Sequence, residues 1–229
     1  MILNKDNFRN IDLNGRTPPR HIAIEGPIGV GKTTLTQYLA ETFKYNTLLE
    51  KTEDNPFLTR FYAGEKNIAL QTQLFFLFQR IQQLSELRQA DLFQPLHVAD
   101  FLIEKDPLFA DLTLNNNELK LYHQVYQQLT IDAPTPDLVI YLQAPSDVLL
   151  QRISARGVNV ERSIGDEYLI RLNDIYTRFF HFYDKSPLLI VNAAEIDWVN
   201  TPTDYTNLVD YLLTIKSGRH YYNPTPSLF

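Results

Sequence analysis

The chain has 229 residues and a mass of 26.6 kDa, a length that one domain commonly reaches. Its 44% hydrophobic residues exclude disordered and fibrous classes, and the absence of cysteine excludes disulfides, thiolate metal sites and a cysteine nucleophile. A net charge of −6 disfavours a broad basic surface for phosphate backbones, so we expect a small-molecule ligand and no nucleic-acid partner.

The first twenty residues are polar and lack the apolar core of a signal peptide. No later stretch approaches the roughly 20 consecutive apolar residues of a membrane span. We therefore expect a soluble protein with no membrane partner, and the lack of cysteine fits a cytoplasmic location. We interpret residues 1–229 as a single domain, with residues 1–19 as an N-terminal extension and residues 217–229 as an irregular C-terminal tail.

Strand-like and helix-like segments alternate along the chain. Apolar, β-branched runs predict five strands, at residues 21–25, 47–50, 96–99, 138–142 and 188–191. Apolar residues at helical spacing predict helices at residues 32–44, 67–90, 106–112, 118–129, 146–156, 166–183 and 203–213, and a short helix runs through Tyr62. This alternation predicts an α/β fold with a mostly parallel five-stranded sheet, helices on both faces, and functional residues at the carboxyl ends of the strands.

A phosphate-binding loop follows the first predicted strand. Residues 26–33 read GPIGVGKT and fit the pattern G-x-x-x-x-G-K-[ST] between a strand and a helix. Glycines let backbone N–H groups approach phosphate oxygens, Lys32 can reach the β and γ phosphates, and Thr33 offers a hydroxyl to Mg²⁺. The predicted contacts to the nucleotide are Gly26, Pro27, Ile28, Gly29, Val30, Gly31, Lys32, Thr33 and Thr34.

The segment after the second strand indicates which acceptor receives the phosphoryl group. Residues 190–195 read IVNAAE and contain no guanine-reading segment of a GTPase. A nucleoside monophosphate kinase needs arginines around its anionic acceptor, whereas residues 50–55 read EKTEDN. This stretch suits a neutral alcohol, whose proton a strand-end carboxylate can take. Glu50 and Glu53 are both candidates for that carboxylate, and the position at the strand end favours Glu50.

Taken in order, these segments resemble the deoxynucleoside kinase family over about residues 21–183. The resemblance implies a P-loop kinase fold with an arginine-bearing lid, ATP as phosphoryl donor, Mg²⁺, and transfer to the 5′-hydroxyl of a deoxynucleoside. It implies Glu50 as general base and Asp100, at the end of the third strand, as a metal residue together with Thr33. The implied catalytic residues are Lys32, Glu50, Asp100, Arg152, Arg156 and Arg162, of which Arg152 and Arg156 also contact the donor.

Three residues around the long third helix match the family at intervals of 11 and 7 residues. The resemblance implies that Tyr62 contacts the sugar, that Gln73 reads a base edge through its amide, and that Arg80 stands two helical turns further on the same face. A helix rich in glutamine is otherwise an ordinary exposed face, and only the spacing favours the functional interpretation.

Further family positions extend the predicted acceptor site. Asp106 together with Arg80 marks members that read an exocyclic amine, and Phe109 resembles a base-stacking phenylalanine, although an ordinary core position fits it equally well. Glu161 matches a lid residue that reaches the sugar 3′-hydroxyl, and packing against Tyr62 would leave no room for a ribose 2′-hydroxyl. The resemblance implies a purine substrate, deoxyadenosine or deoxyguanosine, with deoxycytidine as a further candidate.

The sequence departs from the family at two positions. Phe101 stands where the family has an arginine that stabilises the acceptor oxygen and the moving phosphoryl charge, and Val158 replaces a lid arginine. Lys105 and Arg162 are the two candidates for the missing charge. We favour Arg162 slightly, because the lid already carries other arginines toward the phosphates.

Two alternative functions stay open at this point. One is a monophosphate kinase similar to thymidylate kinase, which the acidic stretch around Glu50 disfavours. The other is a non-catalytic nucleotide-binding accessory protein, which Phe101 and Val158 allow but which would not need the retained Lys32, Glu50 and Asp100. Family members are commonly dimers through two helices, so the resemblance implies a homodimer through the helix at residues 67–90.

Overall fold

The computed structural model describes residues 11–65, 67–90, 96–130, 132–158 and 164–224. The predicted residues Glu161 and Arg162 lie outside these ranges. None of the helices in the described ranges combines the length and the hydropathy needed to cross a bilayer.

A parallel sheet forms the centre of the described structure. Its six strands lie in the order β2-β3-β1-β4-β5-β6, and every neighbouring pair is parallel. Ile22 in the central strand β1 pairs with Val98 on one side and Leu138 on the other. The strand bounds are β1 His21–Glu25, β2 Asn46–Leu48, β3 His97–Ala99, β4 Leu138–Gln143, β5 Leu188–Asn192 and β6 Arg219–Tyr222.

The sixth strand corrects two predictions, namely a five-stranded sheet and an irregular tail over residues 217–229. β6 pairs with β5, and its Arg-His-Tyr-Tyr sequence is mostly half-buried at the sheet edge. Such an edge strand is stabilised by backbone pairing and local contacts, here between the rings of Tyr222 and Tyr211 and from Arg219 to the Tyr183 carbonyl. It therefore carries no apolar run or alternation that would have predicted it.

Helices cover both faces of the sheet. Ile22 and Ile24 pack on one face with Leu35 and Leu39 of the helix after β1, while Ala23 faces the opposite core cluster. This is the period-two alternation of a strand buried on both sides. The helix bounds are α1 Lys32–Phe43, α2 Leu58–Tyr62, α3 Ala69–Ala90, α4 Asp106–Thr113, α5 Asn116–Leu129, α6 Ser146–Arg156, α7 Asp166–Phe182 and α8 Pro202–Leu212.

Helix α5 begins two residues earlier than the sequence pattern predicts, because a capping box fixes its start. The Asn115 side chain accepts hydrogen bonds from the backbone N–H groups of Asn117 and Glu118, and the Glu118 carboxylate accepts the N–H of Asn115. These contacts satisfy donors that the first helical turn leaves unpaired.

The carboxyl ends of three neighbouring strands define the functional edge of the sheet. β1 ends at Glu25 and leads into the phosphate loop, β3 ends just before Asp100, and Glu50 follows β2 by two residues. Since the strands are parallel, these groups meet at one edge.

Candidate active site

At two positions of the phosphate loop, residues 26–33, the backbone lies so close to neighbouring atoms that only glycine fits. A Cβ atom on Gly26 would lie 2.5 Å from the Leu142 carbonyl oxygen, which is backbone and cannot give way. Gly31 has a φ of 104°, and a Cβ there would lie 2.9 Å from the Trp198 ring. The loop backbone therefore packs directly against Leu142 and Trp198. The loop ends at the N-terminus of α1, where backbone N–H groups can bind phosphate.

Lys32 lies inside this loop. Its Nζ donates hydrogen bonds to the carbonyl oxygens of Gly26 at 2.7 Å and Pro27 at 3.3 Å. Burial lowers the pKa of Lys32, while the carboxylates of Glu25 and Glu50 act in the opposite direction. The Lys32 ammonium therefore lies where a phosphate loop normally binds phosphate oxygens.

Asp100 connects the phosphate loop to the segment after β2. Its Oδ2 accepts a hydrogen bond from the Thr33 hydroxyl at 2.7 Å, and its Oδ1 accepts the backbone N–H of Glu50 at 2.7 Å. Burial raises the pKa of Asp100, and these hydrogen bonds act against that shift. The two residues predicted for the metal are therefore direct neighbours.

The Glu50 carboxylate is held on one oxygen only. Oε1 pairs with the Arg80 guanidinium and lies 3.4 Å from Lys105 Nζ, while Oε2 has no hydrogen-bond partner among the described residues. Burial raises the pKa of Glu50, but Arg80, Lys105 and Lys32 outweigh it and lower the pKa to about 2. Glu50 is therefore an anion at neutral pH with one oxygen available to a ligand.

Arg80 and Asp106 form a buried pair behind Glu50. The Arg80 guanidinium binds Asp106 Oδ1, whereas Asp106 Oδ2 and Arg80 Nε are buried without a hydrogen-bond partner in the described part of the chain. Burial raises the pKa of Asp106 to about 6, although Arg80 and Lys105 lower it. This pair thus holds one unpaired acceptor and one unpaired donor, and leaving such groups buried is costly unless a ligand pairs them.

These groups surround a cavity of about 270 Å³. We call it the transfer cavity. Eleven of its lining residues are ones that the sequence analysis named, as predicted site residues or, for Lys105, as a candidate for the missing charge. They are Ile28, Gly29, Lys32, Thr33, Glu50, Tyr62, Arg80, Asp100, Lys105, Phe109 and Arg156, including the two loop residues Ile28 and Gly29.

Gln73 lies apart from the transfer cavity's lining. It is buried, and its Nε2 donates to the Thr113 hydroxyl at 3.3 Å. Asp106 does not line the cavity either, but it forms an ion pair with Arg80, which does.

Arg152 points to the other side of the phosphate loop. Its guanidinium donates to the carbonyl oxygens of Ala193 at 2.8 Å and Val30 at 3.4 Å. A second cavity of about 640 Å³ lies there, lined by Val30, Gly31, Thr34, Arg152 and residues 194–200 with Asp204. The sequence analysis missed residues 194–200, which carry no recognisable motif and come to the loop only through the fold.

The sequence analysis also missed Glu25. It is completely buried at the end of β1, directly before the phosphate loop. The signal was present in the sequence, since a carboxylate that closes an apolar strand needs buried partners. Phe101 is also buried, in a core cluster with Leu48 and Leu77, so position 101 offers no cation to the site.

Comparison with known proteins agrees with this geometry. The model of the family described as deoxynucleoside kinase matches residues 22–215. A deoxyguanosine kinase of Bacillus subtilis (strain 168) is 36% identical over 197 residues, which cover 83% of this chain and 95% of the relative. A deoxyadenosine kinase of Lactobacillus acidophilus is 29% identical over 192 residues, which cover 78% of this chain and 87% of the relative.

A solved structure shares the fold as well. Deoxyadenosine kinase from M. mycoides with bound dATP superimposes with a TM-score of 0.73 at 25% identity, covering 85% of this chain and 99% of that one. The parallel sheet, its flanking helices and the transfer cavity thus belong to a nucleotide-binding phosphotransferase. The chain belongs to the deoxynucleoside kinase family, and it is a kinase that phosphorylates deoxynucleosides.

Proposed function

We propose that this kinase transfers the γ-phosphoryl group of ATP to the 5′-hydroxyl of a purine deoxynucleoside, with Mg²⁺ as the metal. The observation that carries the proposal is that Lys32 of the phosphate loop lines one cavity together with Glu50, whose Oε2 has no hydrogen-bond partner among the described residues. A donor phosphate and an acceptor hydroxyl can therefore meet there. Positioning of the two reactants together with electrostatic stabilisation supplies most of the acceleration in such a transfer.

The donor triphosphate occupies the phosphate loop in this proposal. Lys32 exchanges its carbonyl partners for phosphate oxygens, and Arg156, which lines the transfer cavity, adds positive charge beside them. The second cavity, on the other side of Gly31, has the size and the polar lining for the rest of the nucleotide. Arg152 fixes the wall of that cavity by joining the loop to residue 193.

Thr33 and Asp100 would hold the metal ion. Hydroxyl and carboxylate oxygens are ligands that Mg²⁺ prefers, and the ion commonly binds one or two such groups together with substrate phosphates. The ion would neutralise charge on the phosphates during transfer. The Thr33 hydroxyl lies 2.7 Å from Asp100 Oδ2, so one ion could contact both side chains.

Glu50 acts on the acceptor. Its Oε2 accepts the hydrogen bond of the 5′-hydroxyl and takes the proton as the bond to phosphorus forms. Arg80 and Lys105 hold Oε1, so the carboxylate keeps its orientation. Tyr62 and Phe109, which both line the transfer cavity, pack against the sugar and base.

The Arg80–Asp106 pair reads the base in this proposal. Its unpaired Nε donor and Oδ2 acceptor match an adjacent acceptor and donor on a base edge, as adenine presents. Gln73, held by Thr113, and Glu161 would complete the recognition of base and sugar. Glu161 and Arg162 lie outside the described residues, so only the sequence supports the roles predicted for them.

The test is phosphorylation of deoxyadenosine, deoxyguanosine, deoxycytidine and thymidine, with thymidylate and AMP as monophosphate acceptors. We expect the purine deoxynucleosides to be used best and the monophosphates not at all. Lys32→Ala should abolish turnover without lowering the melting temperature by more than a few degrees, and Lys120→Ala on the exposed side of α5 is its control. Unchanged turnover in Lys32→Ala, or preference for a monophosphate, would contradict the proposal.

We propose in addition that two copies associate through α3 and α5. Phe78 on α3 is 53% exposed and Leu121 on α5 is 47% exposed, which is costly for large apolar side chains in water. Light scattering should give the mass of a dimer, and Phe78→Glu should shift it to a monomer, whereas Gln82→Glu on the same helix should not. The cytoplasm is the location we propose, because a chain without cysteine fits a reducing compartment.

A further inference from the structure

Lys105 carries a buried positive charge between two carboxylates. The side chain is 2% exposed, and its Nζ lies 3.4 Å from Glu25 Oε2 and 3.4 Å from Glu50 Oε1. Burial alone lowers the pKa of Lys105, but Glu25 and Glu50 outweigh it and the pKa is raised. The ammonium is therefore permanently charged at the pH at which the kinase works.

Glu25 is the anchor of this ammonium. Its Oε1 accepts hydrogen bonds from the Gly26 N–H at 2.9 Å and the Tyr176 hydroxyl at 2.8 Å, and its Oε2 accepts the Leu102 N–H at 2.9 Å. The carboxylate is thereby joined to the phosphate loop, to α7 and to the segment after β3. These hydrogen bonds orient the Glu25 carboxylate, which in turn holds the Lys105 ammonium beside the phosphate loop.

Lys105 also lies at the place where we propose that the phosphoryl group is transferred. It lines the transfer cavity with Lys32, and its Nζ is 5.8 Å from the centre of the Phe109 ring. A hydroxyl bound to Glu50 Oε2 would stand beside the carboxylate oxygen that Lys105 already contacts. A fixed charge at the place where oxygen charge develops is normally a large contribution to catalysis.

We propose that Lys105 is a catalytic residue that stabilises the transferring phosphoryl group and the acceptor oxygen, and that Glu25 is its positioning residue. This inference rests on the proposed function. During transfer the bond from the γ phosphorus to the bridging oxygen of ATP breaks and the bond to the 5′-oxygen forms. The hydroxyl proton passes to Glu50, ADP leaves with the bond electrons, and Lys105 stays protonated throughout.

The first test compares Lys105→Met with Lys120→Met. Methionine keeps the length of the lysine stem and removes the charge. We expect kcat with a deoxynucleoside to fall about a hundredfold in Lys105→Met, with the KM for the acceptor and the affinity for ATP changed less than threefold. Lys120→Met should match the wild type.

A double variant separates catalysis from folding, because Lys105→Met alone leaves Glu25 buried without its counter-charge. In Lys105→Met/Glu25→Gln both members of the ion pair are neutral, so we expect the melting temperature to recover toward the wild-type value. If Lys105 only balances charge, kcat should recover as well. The proposal requires kcat to stay about a hundredfold low.

The positioning role of Glu25 has its own comparison. Glu25→Gln should lower kcat about tenfold at nearly constant KM, since the Lys105 ammonium loses its anchor. Glu41→Gln on the exposed surface of α1 makes the same chemical change away from the site, so its kcat should match the wild type.

Near-wild-type kcat in Lys105→Met, or restored kcat in the double variant, would overturn the catalytic assignment. A kcat in Glu25→Gln near the wild-type value, or a rise in KM in place of the loss in kcat, would overturn the positioning role. Turnover of deoxynucleosides by the wild type in the same assay checks the proposed function independently, so the two failures are distinguishable.

Discussion

Asp100 joins the Thr33 hydroxyl to the backbone of Glu50 through two hydrogen bonds of 2.7 Å. One carboxylate thus sets the distance between the helix that follows the phosphate loop and the residue that receives the acceptor. Both of its oxygens are acceptors, so any replacement that turns one oxygen into a donor must break one of the two contacts.

Asp100→Asn follows from this geometry. We expect turnover to fall more than about tenfold and the magnesium concentration for half-maximal rate to rise several-fold, because the amide weakens both the metal ligand and the link to Glu50. Magnesium titrations of kcat measure the effect, with Asp111→Asn on α4 as the control. An unchanged magnesium dependence would remove Asp100 from the metal site.

Glu50→Gln should lower kcat more than about tenfold with a modest change in the KM for the acceptor. The amide keeps the shape of the side chain and loses the proton acceptor. Glu53→Gln is the matched control, since Glu53 also lines the transfer cavity but lies exposed on the turn at Thr52–Asp54. A loss in Glu53→Gln in place of Glu50→Gln would mean that the base is assigned to the wrong carboxylate.

Base preference should depend on pH through Asp106. Above its pKa of about 6 the carboxylate accepts a hydrogen bond, as an exocyclic amine of adenine requires, and below that pKa it can donate one to the carbonyl oxygen of guanine. We therefore expect the ratio of kcat/KM for deoxyguanosine to that for deoxyadenosine to rise as the pH falls from 7.5 to 5.

Asp106→Asn supplies the control, because an amide does not titrate and the ratio should then be flat over the same range. Glu50 cannot imitate the effect, since its pKa of about 2 keeps it ionised throughout. A constant ratio in the wild type would show that Asp106 does not contact the base.

Stability should decrease in acid through His21. Burial and the neighbouring His97 lower the pKa of His21 from 6.5 to about 3, so the unfolded chain binds a proton that the folded chain excludes. The free energy of unfolding then falls as the pH drops below about 6.5, by up to about 1.4 kcal/mol per pH unit. Denaturant unfolding at pH 7 and pH 5 should show a smaller drop in His21→Phe, while the exposed His181→Gln should behave like the wild type.

The parts of the site that were predicted correctly in position are those that depend on local sequence or on strand ends. The phosphate loop is one continuous motif, and Glu50 and Asp100 directly follow strands that a parallel sheet brings to one edge. Their roles as base and metal residue stay predictions.

Contacts between distant segments could not be predicted. Thr113, the partner of Gln73, is 40 residues away, and Arg152 turns to the carbonyl of residue 193 across the phosphate loop. Helical spacing places Arg152 and Arg156 on one side of α6, yet the long side chains reach different cavities. The direction of each long side chain depends on the tertiary contacts around it, which the sequence pattern does not reveal.

The close approach of Trp198 to Gly31 has a practical consequence. Trp198 is the only tryptophan of the chain, it is 4% exposed, and its ring is in contact with the phosphate loop. The emission of an indole responds to the polarity and charge around it. The protein therefore carries a built-in optical reporter, and its intrinsic fluorescence should change when a nucleoside triphosphate fills the loop, so donor binding can be followed in the unlabelled wild-type chain before any phosphoryl group is transferred.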